Sequence, residues 1–109
     1  MTLQKQLEAL RQAVASGETP LRITTHARTE ARKDGLLQPE LVYVFNAGSV
    51  VEEYPKESRV LLLSYGPECG LPIHVVVELS VDEVVIITAY VPDPAQWIGA
   101  VKRRKGVKK

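Results

Sequence analysis

His26, Glu30 and Asp34 recur at every fourth position in the segment Thr25-His26-Ala27-Arg28-Thr29-Glu30-Ala31-Arg32-Lys33-Asp34-Gly35. On a helix, that spacing places all three on one face. A histidine beside a carboxylate is the usual material for general acid–base catalysis near neutral pH. Arg28 and Arg32 share a second face. Their guanidinium forks suit a phosphate, and the backbone N–H groups at the helix start would add donors to it. The plainer alternative is a solvated helix whose ion pairs contribute about 0.3–0.5 kcal/mol each. His26 and Glu30 lack a third ligand for a metal, so no metal or other cofactor is expected.

The second histidine, His74, falls in Pro72-Ile73-His74-Val75-Val76-Val77-Glu78. Strand alternation puts it on one face with Val76 and Glu78. It is either a satisfied structural histidine or, if it meets His26 in one cleft, half of an acid–base pair. Arg59 opens another strand and would hold a phosphate if it faced the cleft of Tyr90. Tyr54, Tyr65 and Tyr90 sit at strand ends, where aromatic rings either stack on bases or fill the rim of a sheet. Trp97 is expected to anchor the core. Cys69 lies in a hairpin loop with no activating base, so a nucleophilic role is not expected.

The elements that must position these residues follow from the apolar spacing. Leu3, Leu7, Leu10 and Val14 predict a helix over 3–15 that ends at Gly17. A short extended run follows at 21–25. A second helix is predicted from His26 to Gly35 with Thr25 as its N-cap, and a third from near Pro39 to Asn46-Ala47-Gly48. Residues 49–54, 59–65, 73–79 and 83–91 are rich in Val, Ile and Leu and read as strands. The short links between them, Gly66-Pro67-Glu68-Cys69-Gly70 among them, imply antiparallel neighbours. Asp93 would cap a last helical turn that starts at Pro94, and Trp97 and Ile98 would pack back on the sheet. The expected fold is therefore α+β, with N-terminal helices packed on a four-stranded antiparallel meander. The strands at 73–79 and 83–91 are nearly continuous apolar runs. Both faces should be partly covered, the second by the first helix or by a partner subunit, which makes a homodimer an open alternative.

The 109 residues allow one domain, assigned here to 1–100. Hydrophobic residues make up 45% and charged residues 25%, as in soluble globular proteins. The net charge of +1 hides a split. All thirteen Asp and Glu precede residue 101 and face eight Lys and Arg there, a balance of −5. Lys102, Arg103, Arg104, Lys105, Lys108 and Lys109 give the segment 101–109 a charge of +6. A uniformly basic nucleic-acid-binding body is excluded, and a disordered basic tail that holds a polyanion is not. The single cysteine excludes an internal disulfide and fits a reducing, cytoplasmic setting. The charged amphipathic start does not read as a signal peptide, and no apolar run is long enough to cross a membrane.

Four segments in order carry a resemblance. They are Thr25-His26-Ala27 opening a helix that ends in Gly35-Leu36; Gly48-Ser49-Val50-Val51-Glu52-Glu53-Tyr54-Pro55; Pro72-Ile73-His74-Val75-Val76; and Val85-Ile86-Ile87-Thr88-Ala89-Tyr90-Val91-Pro92-Asp93-Pro94 with Trp97. Together, over about residues 22–98, they resemble the bacterial domain-of-unknown-function 4258 family, which looks related to the RelE/ParE-type toxin superfamily. The resemblance implies a small α+β toxin-like fold and, more remotely, an RNA-directed nuclease or translation inhibitor of a toxin–antitoxin system. In that reading His26, His74 and Glu30 are catalytic. Arg28, Arg32, Arg59, Tyr90, Lys102, Arg103, Arg104 and Lys105 meet RNA or the ribosome. One departure stands out: Glu30 and Asp34 are carboxylates where the resemblance leads one to expect basic residues. The alternative reading is a non-catalytic protein-binding module of the same fold, either a homodimer or bound to an antitoxin-like partner.

Overall fold

The computed structural model describes residues 2–103 of the chain. Helix α1 spans Leu3–Ala15 and is capped by the Thr2 side chain, which accepts from the Lys5 amide. Strand β1 is Leu21–Ile23, followed by α2 at Thr25–Lys33 and α3 at Gln38–Ala47. Four longer strands come next: β2 at Ser49–Tyr54, β3 at Arg59–Tyr65, β4 at Pro72–Glu78 and β5 at Val84–Tyr90. Two-residue strands β6 (Trp97–Ile98) and β7 (Lys102–Arg103) end the described chain.

The expected α+β order holds, but the sheet differs from the expected one. It has five strands in the order β1-β5-β4-β3-β2. The run β2 to β5 is an antiparallel meander, and β1 lies parallel along β5, with Leu21, Arg22 and Ile23 opposite Val84, Val85 and Ile86. The sheet is therefore mixed. Three residues are too short to announce a strand by alternation, and a parallel neighbour sixty residues away leaves no local signal. The ladder continues at both ends, where the Val84 amide donates to the Pro20 carbonyl and the Thr24 amide to the Ile86 carbonyl.

All three helices cover one face of the sheet. Leu7 and Leu10 of α1, Ala27 and Ala31 of α2, and Leu41, Val44 and Phe45 of α3 form one core with Val60, Leu62, Ile73, Val75, Val77, Val84, Ile86 and Ala89. Only alanines bring α2 onto that core, so its backbone can approach β5 closely. The first helix therefore does not cover the second face, contrary to one expectation. Part of that open face is covered by Trp97, which is buried as expected, whereas Ile98 beside it is half exposed. Residues 94–96 form a single turn as expected: the Trp97 amide donates to the Asp93 carbonyl at 3.0 Å, and the Asp93 carboxylate caps the turn by accepting from the Ala95 amide.

The cap of α2 also sits one residue earlier than expected. Thr24, not Thr25, is the N-cap, and its hydroxyl accepts from the Ala27 amide while donating to the Ile87 carbonyl. Thr24 and Thr25 are adjacent and chemically alike, so local sequence does not separate them. The choice falls on the one that also reaches β5.

Candidate functional site

Two places collect the residues that could carry chemistry. The first is the end of the open sheet face around His74. Register places Tyr90 opposite His74, Thr88 opposite Val76 and Arg59 opposite Glu78, so all six share that face. His74 is fully buried. Its Nε2 lies 2.6 Å from the Ala100 carbonyl oxygen and its Nδ1 3.3 Å from the Tyr90 hydroxyl. A carbonyl only accepts, so Nε2 carries the proton, and in the neutral ring Nδ1 accepts from Tyr90. The Trp97 ring meets the imidazole edge-on with centroids 4.5 Å apart, and Tyr90 does so at 5.4 Å. These contacts pin the β6–β7 hairpin to the sheet. They also hold Ala100 at its positive φ of 65°, a conformation that costs an L-residue energy and persists only where neighbours enforce it.

Arg59 and Tyr90 share a face, as expected, but not a cleft. Arg59 donates to Glu78 at 3.1 Å, at the far end of β4 from His74. Beside Tyr90 lies a groove of about 320 Å³ lined by Tyr54, Val76, Thr88, Asp93, Gln96 and Trp97. The Tyr54 hydroxyl donates to the Glu52 carboxylate at its rim.

The second place is α2. His26 is exposed in its first turn. The helix packs on the covered face of the sheet, while His74 points to the open face, so the expected His26/His74 acid–base pair is not brought together. The expected face of His26, Glu30 and Asp34 is divided as well. Glu30 lies 3.9 Å from the Lys33 ammonium, and Asp34, the C-cap, accepts from the Val91 amide at 2.8 Å. A pattern of period four fixed which residues share a side of the helix. It could not show that Asp34 would be taken up in joining α2 to the end of β5.

Arg28 and Arg32 do converge. They flank a recess of about 190 Å³ between α2 and α3, floored by Ala31, Leu36 and Leu41 and edged by Leu37 and Gln38. Both arginines are exposed, and no carboxylate pairs with either among the described residues. Leu37 is 62% exposed. The leucines of this recess went unnoticed as site residues. The available signal was Leu36-Leu37 directly before Gln38-Pro39, two apolar residues in a loop with room to bury only one.

Glu40 is the other residue that sequence reasoning missed. It is 1% exposed. One oxygen accepts from the Leu37 amide at 3.1 Å, the other from the Cys69 amide at 3.3 Å. The Leu37 amide holds its carboxyl below the ordinary range; burial opposes this, and the Cys69 thiol and amide with the Glu68 amide add to the lowering. Glu40 thus ties the 66–70 hairpin loop to the start of α3. A Glu three residues past the residue that precedes a helix was the legible sign.

Lys102 and Arg103 lie in β7, paired with Ile98 and Trp97. Arg104 and Lys105, with the rest of the expected tail, lie outside the described residues. No group of three or more His, Cys, Asp or Glu side chains converges among the described residues. No helix among them is long and apolar enough to cross a membrane.

The fold is an α+β domain with three helices on one face of a mixed five-stranded sheet. The family model described as domain of unknown function 4258 matches residues 23–91, from the end of β1 to just past β5. The chain belongs to that family. No curated protein and no solved structure matches it.

Proposed function

We propose that this chain is a non-catalytic protein-binding module, with the α2/α3 face as its binding surface. The reading rests on one observation. Arg28 and Arg32 flank one recess, neither is paired with a carboxylate among the described residues, and the recess has an apolar floor. A nuclease would need a base and an acid on either side of the scissile phosphate, within hydrogen-bonding reach of the reacting oxygens. His26 stands on the helix-covered side, and His74 is bonded into the interior. The body's charge of −5 also disfavours a polyanion. On this reading the helices-first layout is a RelE/ParE toxin-like scaffold that holds a partner in place of a substrate.

Induced expression of the full chain in bacteria tests it. Growth should match that of an empty vector, and cellular RNA should stay intact. Growth arrest that His26→Ala or His74→Ala relieves would restore the nuclease reading. Affinity capture from cells of the chain's own source should retain a protein partner with the unchanged chain and with His26→Ala. The Arg28→Glu/Arg32→Glu double variant should lose it.

A further inference from the structure

We infer that the α2/α3 recess takes an acidic amphipathic helical segment of a partner protein, an inference that rests on the binding reading above. The recess has the two parts such a segment would need. Its floor of Ala31, Leu36 and Leu41 is apolar, and its volume of about 190 Å³ suits an inserted aliphatic side chain rather than a flat surface. Leu37 at the edge extends the apolar area outward and is 62% exposed, so a covering chain removes it from water.

The charge identifies the occupant. Arg28 and Arg32 stand one helical turn apart on the same side of the recess, and neither has a carboxylate partner among the described residues. The neighbouring cation Lys33 is turned to Glu30 instead. Acidic side chains one turn apart on a facing helix would match the arginine spacing, with leucine-like residues between them entering the floor. The same two arginines could hold RNA phosphates. Phosphate binding, however, gains nothing from Leu37, which is 62% exposed at the edge of the recess and would stay so.

The test uses the full chain and three labelled probes: a synthetic helical peptide with leucines on one face flanked by glutamates, the same peptide with every glutamate replaced by lysine, and a single-stranded oligoribonucleotide. Fluorescence anisotropy gives affinity, and amide chemical shifts locate the site. The acidic peptide should bind, shift the amides of α2, α3 and the loop between them, and weaken as salt rises. Arg28→Glu/Arg32→Glu should weaken it by about tenfold or more, the size expected from losing two rim charge pairs. Leu37→Ser should weaken it independently of salt. All three positions are exposed, so these variants should fold, as circular dichroism checks. Equal binding of the lysine peptide, shifts confined to another surface, binding of the oligoribonucleotide alone, or no binding of any probe would each overturn the inference. If the inference fails while the native partner is still captured in an arginine-dependent way, the binding reading survives it. If His26-dependent growth arrest appears, that reading has itself failed.

Discussion

At the scale of single residues, the buried side chains of His74 and Glu40 explain most of what is specific here. His74 is a structural clamp whose loss removes the donor to the buried Ala100 carbonyl and opens space against Trp97. His74→Ala should therefore cost about 2–4 kcal/mol in urea unfolding, the range for a core truncation that also strands a buried acceptor. Near-unchanged stability would refute the clamp. Glu40 yields a pH prediction. Its carboxyl titrates below its ordinary 4.5 in the folded chain. Its contribution is present in full above that ordinary value and fades as pH falls through the lower folded value. Glu40→Gln should cost about 1–2 kcal/mol at neutral pH, because an amide can accept from only one of the two donors without turning its NH2 toward the other. The variant's stability should also fall less steeply than the unchanged chain's below the ordinary carboxylate range. Parallel acid limbs in the two proteins would count against the assignment.

At the scale of elements, the junctions decide the geometry. The chain leaves α3 and enters β2 at Gly48, whose amide donates to the Val44 carbonyl. A Cβ at Gly48 would stand 2.6 Å from that same carbonyl oxygen and 3.1 Å from the Leu62 Cβ. Neither the helix backbone nor the packed strand can move away, so the requirement is for space and not for an unusual φ. Gly48→Ala should destabilise the protein by about 1–3 kcal/mol, the cost of overpacking, with a matching fall in the thermal midpoint. An unchanged midpoint would show that the junction yields. The segment Asn46-Ala47-Gly48 marked the end of α3 in the sequence because glycine punctuates helices. The close approach of Leu62 from β3 is a tertiary fact that no local pattern contains.

At the scale of the whole molecule, α1 lies before the family-matched segment and is joined to it by Arg11. Its guanidinium donates to the Phe45 carbonyl at 2.8 Å and the Gly48 carbonyl at 2.7 Å, at the end of α3, and to Glu8 within α1. The last carbonyls of a helix lack partners within it, and a cation there also suits the helix dipole. Arg11→Ala should cost about 1.5–3 kcal/mol, as expected for charge-assisted bonds in a half-buried place. Hydrogen exchange should show α1 losing protection before the sheet does. Uniform loss across all elements would mean that α1 and the sheet unfold as one unit.

Much was legible from sequence alone. Apolar patterning marked α1, α3 and four strands, since burial of one stripe or one face repeats every few residues along the chain, while a threonine and a glycine bounded α2. The count of charges fixed the contrast between an acidic body and a basic end. Leu3, Leu7 and Leu10 announced α1, and His74 was placed on one strand face with Val76 and Glu78 by alternation. What depended on contacts between distant residues was not legible. The pairing of β1 with β5, the selection of Thr24 over Thr25 as cap, the burial of Glu40 under the 66–70 loop, and the placement of His26 and His74 on different sides of the sheet each join residues far apart in the chain. Local spacing can state which side chains share an element's face. Only the packing of elements decides which faces meet, and here it brings two arginines together over leucines while keeping the two histidines apart.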